Sequence, residues 1–360
     1  MPYVNMSPGD AVRKEMTAKE GGQVETVGYD FTCLGSENNL DQCKGQRVVC
    51  HDKIVVKCSR PGISGICKSP CGCMAPTLLA KVVGGLDALP GEFPWQVSLS
   101  LGKYICGGTI IDSEHILTAA HCLHQPGAKH VPCKAQKSSA GDELPECYWV
   151  NDIKVYYGSS EWFSSENSNA EEAIVQKVFI HKDYVRGRQA LYHDVAVIRL
   201  KSPIKLNPYV QPVCLPRDDF VLPPDKNVTV SGFGDTSRFS GIYPDTLQKA
   251  SLNWLQLEEC NKVMFGFLSD EHFCAGDTSG RVDACRGDSG GPLVYKNERG
   301  IATLVGVVSF SYGCAVPGLW SVYADVRKER DFIYSVLTDT PDKNTIILSC
   351  HLKNKRCKRI

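Results

Sequence analysis

Residues Asp283 to Leu293 read "DACRGDSGGPL". A serine hydroxyl is a poor nucleophile at neutral pH and needs a neighbouring base to take its proton. Here Ser289 sits in a glycine-rich turn, where the backbone N–H groups of Gly287 and Ser289 can face a developing oxyanion. A donor preorganised in that way is worth about 3–4 kcal/mol in the barrier of an acyl transfer. Two other stretches supply what the serine lacks. "LTAAHCL" (Leu117 to Leu123) carries His121, and "HDVAVIRL" (His193 to Leu200) carries Asp194. A neutral histidine suits the role of base, and a buried carboxylate fixes its tautomer and stabilises the imidazolium that forms. Each stretch alone reads as a core segment or a turn. All three in the order His, Asp, Ser point to nucleophilic catalysis.

Forty Lys/Arg and forty Asp/Glu cancel over 360 residues, so no global field favours nucleic acid or an anionic membrane. Eighteen cysteines spread along the chain, without the paired spacing of a zinc site, indicate a disulfide framework formed in an oxidising compartment. Asn5-Met6-Ser7 and Asn227-Val228-Thr229 are glycosylation sequons consistent with a secreted glycoprotein. The opening "MPYVNMSPGDAVRKEM" has no apolar signal region, and no apolar run is long enough to span a membrane. Together with the cysteines, this predicts an export or anchoring segment upstream of the sequence.

Residues 1–29 are polar and aperiodic, and read as disordered or as part of a truncated module. Residues 30–58 are compact and cysteine-rich, and 59–81 form a Pro/Gly/Ser linker that carries Cys67, Cys71 and Cys73. From Val82 to Leu337, short alternating segments such as "QVSLSL" and "LVGVVSF" are separated by turn residues, which predicts an all-β barrel or sandwich. A helix is expected over Val326 to Leu337. Residues 338–360 read as a solvated basic tail.

With these motifs, residues 82–337 resemble the chymotrypsin-like (trypsin-fold) serine proteases. The resemblance implies two six-stranded antiparallel β-barrels with a C-terminal helix, and a catalytic cleft between the barrels. It implies a triad of His121, Asp194 and Ser289, with an oxyanion hole at Gly287 and Ser289. It also reads "KVVGG" as an activation site: cleavage after Lys81 frees the Val82 ammonium, which pairs with Asp288. Substrate contacts are expected from Asp283 at the pocket floor, which selects Lys or Arg, and from Ser309, Ser311 and Gly318. Gly318 is expected to keep the pocket wall open, and Asp283 to stand unpaired until a substrate cation arrives. Phe310-Ser311 departs from the family's Trp-Gly, and Tyr312 and Arg286 stand at the same rim. Ser159 replaces the usual ligating glutamate of a calcium loop, so no metal and no cofactor are expected. His124, His130, His181 and His193 read as surface or packing residues.

The family pattern pairs Cys106 with Cys122, Cys260 with Cys274, and Cys285 with Cys314. Cys214 remains, and in relatives with N-terminal domains it bonds to a cysteine before the activation site, here Cys71 or Cys73. Cys133 and Cys147, in the long stretch after His121, can pair and close a loop of about 15 residues, worth about 3 kcal/mol. That loop either overhangs the cleft as a lid or faces away from it.

"DFTCLGSENNLDQC" resembles the C-terminal half of a scavenger receptor cysteine-rich domain, with Cys33–Cys43 as its local bridge. The front is then a small disulfide-rich α+β module that binds a protein or surface ligand. The whole is similar to type II transmembrane serine proteases: a secreted or cell-surface endopeptidase zymogen. Its expected partners are protein or peptide substrates and an activating trypsin-like protease, which includes a second copy of itself, with no nucleic acid. The alternative is a catalytically silent homologue that acts as an extracellular binding protein.

Overall fold

The computed structural model describes residues 11–20, 23–32, 44–49, 69–74, 86–124, 131–132, 146–147, 345–348 and 152–338, the last without 167, 225, 237–240 and 265. The chain forms two units, Met1–Gly65 with Leu78–Lys81, and Ile66–Thr77 with Val82–Ile360. In the first, β1 (Ala11–Glu20), β2 (Gln23–Thr32) and β3 (Lys44–Val49) make an antiparallel sheet in that order. Its first strand lies wholly within residues 1–29, and its second crosses the boundary expected at residue 30. Cys33 and Cys43 lie outside the described residues.

The second unit begins with β4 (Leu86–Asp87), β5 (Gln96–Leu101), β6 (Tyr104–Ile110), β7 (His115–Thr118), the one-turn α1 (Ala120–Leu123), β8 (Val131–Pro132) and β9 (Glu146–Cys147). It continues with β10 (Lys154–Tyr157), β11 (Glu171–His181), β12 (Val185–Arg186), β13 (Leu191–Tyr192) and β14 (Ala196–Leu200). Then follow β15 (Val228–Gly232), β16 (Gln248–Leu255), α2 (Leu257–Val263), β17 (His272–Gly276), β18 (Pro292–Lys296), β19 (Ala302–Phe310), β20 (Ser321–Asp325), α3 (Arg330–Leu337) and β21 (Thr345–Leu348). Strands β10-β5-β6-β7-β14-β11 close through β10–β11, and β15-β18-β19-β20-β17-β16 close through β15–β16. These are two six-stranded antiparallel barrels. Closure removes the exposed sheet edges that an open sheet of this length would present.

Alternation along the strands fills both interiors. In β5, Val97, Leu99 and Leu101 point inward, and they pack with Trp95, Ile116, Val155 and Val197 in the first core. Val230, Leu252, Phe273, Leu293, Val305 and Tyr323 fill the second. Each such side chain, fully buried, contributes about 1.5–3 kcal/mol relative to exposure. Helix α3 turns Phe332, Ile333 and Val336 onto the first core, one apolar stripe at i, i+1 and i+4. No helix among the described residues is long and apolar enough to cross a membrane.

The structure departs from the sequence reading in two places and adds to it in a third. Helix α3 begins at Arg330 and not at Val326, because the Asp325 carboxylate accepts the Arg327 N–H at 3.0 Å and holds a turn there. The tail is not wholly a free end: β21, "TIIL", adds to the edge of β11 with Thr345 opposite His181. A run with β-branched residues at an open edge gains a ladder of backbone hydrogen bonds. Third, the long insertion has a hairpin base, in which β8 pairs with β9 and Val131 stands opposite Cys147. Cys133 and the rest of the insertion lie outside the described residues.

Candidate active site

The first barrel places a histidine and an acid. β7 leads into α1, where His121 sits beside Cys122, and the Cys106–Cys122 disulfide ties that turn to β6. His193, with φ +49, turns the chain sharply just before β14 and sends Asp194 inward, fully buried. Oδ1 of Asp194 accepts the His121 backbone N–H at 2.8 Å, and Oδ2 lies 2.7 Å from His121 Nδ1. The second barrel reaches the same carboxylate, since the Ser309 hydroxyl donates to Oδ2 at 2.5 Å. Burial pushes the Asp194 carboxyl up, but the charge and hydrogen bonds of His121, with Ser309, outweigh it and hold the group below its ordinary range. An ionised Asp194 keeps the proton on Nδ1 of His121 and leaves Nε2 as the acceptor.

Ser289 comes from the turn before β18. Its carbonyl accepts the Gly107 N–H at 2.7 Å and lies 3.5 Å from Cys122 Sγ, which places the serine on the His121 side of the interface between the barrels. Glycines make that approach possible. A Cβ on Gly107 would stand 2.7 Å from the Gly291 Cα, and one on Gly290 would stand 2.2 Å from Thr118 Oγ1. Gly287 takes φ +100 and Gly290 φ +79, both left-handed conformations that favour glycine.

Asp288 points away from this turn into the second barrel. Its carboxylate lies between Gly232 and Gly234, where an added Cβ would fall 2.0 and 2.2 Å from the two oxygens. The backbone N–H groups of Gly234 and Cys285 donate to it at 2.8 and 2.9 Å. Burial nevertheless pushes its carboxyl up to about 6. Asp283 and Asp288 both border a cavity of about 440 Å³, with Gly232, Gly234, Lys249 and Arg281. Lys81 and Val82 lie outside the described residues.

Asp283 is not unpartnered as the sequence suggested. It accepts the Ser321 hydroxyl at 2.6 Å, the Ala284 N–H at 2.8 Å and the Ala315 N–H at 3.3 Å, and none of these donors is a cation. Burial pushes its carboxyl up to about 6 against those bonds. Ser321 is the residue against Asp283, and no local motif marks it, whereas "VPG" points to Gly318. Gly318 itself is exposed, with φ +78 and open space where a Cβ would stand, so backbone conformation and not room explains the glycine. Ser309, expected among the substrate contacts, is buried with its hydroxyl donated to Asp194. Ser311 is half-buried at the end of β19, and the neighbouring Tyr312 hydroxyl donates to the Gln189 carbonyl at 2.7 Å.

Of the expected histidines, His124 packs edge-on against Tyr184, and His130 lies outside the described residues. His181 and His193 stack on each other with ring centres 4.4 Å apart and meet the buried Glu329. The Cys260–Cys274 and Cys285–Cys314 disulfides brace the second barrel. Cys71 bonds to Cys214, and the linker docks beside it: the Gly72 N–H donates to the Pro212 carbonyl at 2.8 Å and Gly72 O accepts the Ala302 N–H at 3.0 Å.

A family model described as Trypsin matches residues 82–333. The rat protein named Transmembrane protease serine 9 is 34% identical over 337 residues, covering 89% of this chain and 30% of its own length. The mouse protein named Transmembrane protease serine 11C is 36% identical over 258 residues, 71% of this chain and 53% of its own. The human protein named Transmembrane protease serine 11B is 32% identical over 258 residues, 71% of this chain and 55% of its own. The chain thus spans between about a third and about half of the length of these relatives.

Proposed function

The chain belongs to the trypsin family of serine proteases, and on that premise we propose that it is an extracellular endopeptidase zymogen that cuts after Lys or Arg. The observation that carries this reading is the Asp194 carboxylate, which holds His121 through both its backbone N–H and Nδ1. In the reaction, Ser289 Oγ attacks the scissile carbonyl carbon as His121 Nε2 takes its proton. The carbonyl electrons move to oxygen, where the N–H groups of Gly287 and Ser289 stabilise the charge. Asp194 stabilises the imidazolium, which then protonates the leaving amine, and water releases the acyl group by the reverse sequence.

Asp283 supplies the charge for a basic side chain. Cleavage after Lys81 supplies Val82 for Asp288, a reading supported by the carboxylate slot between Gly232 and Gly234 and by the cavity beside it. The Cys71–Cys214 bond supports a front segment that stays attached after that cut. Residues 30–58 would bind a protein or surface ligand as a scavenger-receptor module, and the activating enzyme would be a trypsin-like protease. The disulfides and the names of the transmembrane relatives support secretion or a cell-surface anchor, with Asn227 as an exposed sequon. The test is a fluorophosphonate probe on protein treated with trypsin. It should label wild type and not Ser289→Ala; labelling of neither would overturn the reading in favour of a silent homologue, and equal labelling of both would remove Ser289 as the nucleophile.

A further inference from the structure

From the meeting of His181, His193 and Glu329, we infer a binding site for a divalent transition-metal cation of the zinc class, occupied to slow proteolysis. The second half of this inference rests on the reading of Asp194 as the triad acid; the first half does not. One ligand atom from each of the three residues lies within 4.8 Å of the other two. His193 Nδ1 is 2.9 Å from Glu329 Oε1, and His181 Nε2 is 3.7 Å from Glu329 Oε2. Zinc takes nitrogen and oxygen ligands at about 2.0–2.2 Å, so ligand atoms of a tetrahedral site stand about 3.3–3.5 Å apart. The two observed distances bracket that value, and small rotations of the rings would admit an ion.

The site has rigid supports and an entrance. His181 ends β11, Glu329 is the N-cap residue of α3, and the Phe332 ring stands edge-on against His181 at 5.0 Å. Glu329 and His181 are buried, while the His193 side chain is 35% exposed and leaves an approach from solvent. Two imidazoles and one carboxylate favour zinc or copper over calcium and magnesium, which prefer all-oxygen sets, and they leave a fourth position for water. Binding displaces the proton from each ligating nitrogen. At His181 the remaining proton moves to Nδ1, so the 3.2 Å hydrogen bond that the Asp183 N–H donates to that nitrogen opens. Among the described residues the other candidate grouping, Cys106, His121 and Cys122, offers no thiolate because its two cysteines are bonded to each other.

His193 connects the site to the chemistry. It immediately precedes Asp194 in a left-handed turn, and its carbonyl accepts the Val195 N–H at 2.8 Å. A cation seated here widens the 2.9 Å contact of the His193 ring with Glu329 toward the spacing of a tetrahedral site, and so shifts the residue that aims Asp194 at His121.

The experiment uses the full chain after trypsin treatment, in metal-free buffer, with Co²⁺ as a spectroscopic probe and Zn²⁺ as the inhibitor. Wild type should develop the ligand-field bands of low-symmetry cobalt at one equivalent, and Ser289→Ala should do the same. Glu329→Gln and His193→Asn should each need at least about tenfold more metal. Asn tolerates the left-handed turn, so His193→Asn serves if the buried Glu329 variant does not fold. Zn²⁺ should lower kcat on a short peptide in wild type, with the same tenfold shift in the variants, whereas Ca²⁺ should not. Cobalt bands absent from wild type, or equally strong in both variants, would overturn the site. Bands that shift as expected without any Zn²⁺ inhibition would overturn only its coupling to Asp194. Because Ser289→Ala should still bind cobalt, failure of the protease reading leaves the metal test intact.

Discussion

The Ser321 hydroxyl donates to Oδ1 of Asp283 at 2.6 Å and the Ala315 N–H reaches Oδ2 at 3.3 Å, so the acid proposed to receive a substrate cation already has a neutral donor on each oxygen. A Lys or Arg side chain that reaches Asp283 meets a carboxylate whose charge the Ser321 hydroxyl already draws on. Ser321→Gly should therefore raise kcat/KM for peptides with Lys or Arg before the scissile bond by about tenfold. That factor corresponds to about 1.4 kcal/mol, close to a hydrogen bond to a charged group. Asp283→Ser should cut the same parameter by several orders of magnitude and spare aromatic substrates. Equal losses for both substrate classes would remove Asp283 from the pocket.

The same acid sets a pH dependence. Burial pushes the Asp283 carboxyl up to about 6, so its negative charge is lost as pH falls through that value. The quantity to measure is the ratio of kcat/KM for a Lys peptide to that for its uncharged isostere, since effects on the triad divide out. The ratio should be flat above pH 7 and fall toward one below 6, approaching a tenfold drop per pH unit. A ratio unchanged from pH 5 to 8 would mean that Asp283 does not meet the substrate side chain.

Close approach of the barrels gives a paired mutational test. A Cβ on Gly290 would lie 2.2 Å from Thr118 Oγ1 and 2.7 Å from the Gly107 carbonyl, at φ +79. Gly290→Ala should cost about 3 kcal/mol or more from overpacking and backbone strain together, and should abolish peptide hydrolysis. Gly318 has a similar φ, +78, but nothing within 4 Å of the added carbon. Gly318→Ala should cost only the backbone term, about 1–2 kcal/mol, and leave kcat nearly unchanged. Urea denaturation with parallel kinetics separates the two, and a Gly318→Ala enzyme as dead as Gly290→Ala would return Gly318 to the pocket wall.

These contrasts show what was legible in the sequence. Alternation in "QVSLSL" was enough to predict barrels, and the motifs around His121 and Asp194 were enough to name a pair that the fold brings together, because period and local motif are one-dimensional signals. Ser321 was not legible: it lies 38 residues from Asp283, and only the path of β20 brings its hydroxyl to the carboxylate. Gly232 and Gly234 were equally silent, since their lack of a Cβ matters only once Asp288 fills the space between them. The meeting of His181 and His193 with Glu329 also needs the fold, as the glutamate is 136 residues from His193 and sits on another element. In the tail, "TIIL" has strand character, but the edge that receives it belongs to β11.

Asp288 is buried with its carboxyl pushed up to about 6, against an ordinary value of 3.8. Between those values the folded chain holds a proton that the unfolded chain has released, so stability falls as pH rises through the window. Above pH 6 the full cost is about 3 kcal/mol, at about 1.4 kcal/mol per unit. An ammonium supplied at Val82 would favour the charged carboxylate and remove most of that cost. Asp283 acts in the same direction, but it is common to cut and uncut protein and cancels in their difference. Cleavage after Lys81 should therefore stabilise the fold at pH 7.5 and much less at pH 4.5, measured by urea denaturation of wild type before and after trypsin. Lys81→Gln, treated alongside, should gain neither stability nor activity. Because Cys71 is bonded to Cys214, cut wild type should run as one band without reductant and as two with it, the larger beginning "VVGG". Full activity in uncut Lys81→Gln would remove cleavage from the mechanism, and an equal gain at both pH values would remove Asp288 as the group that receives the new terminus.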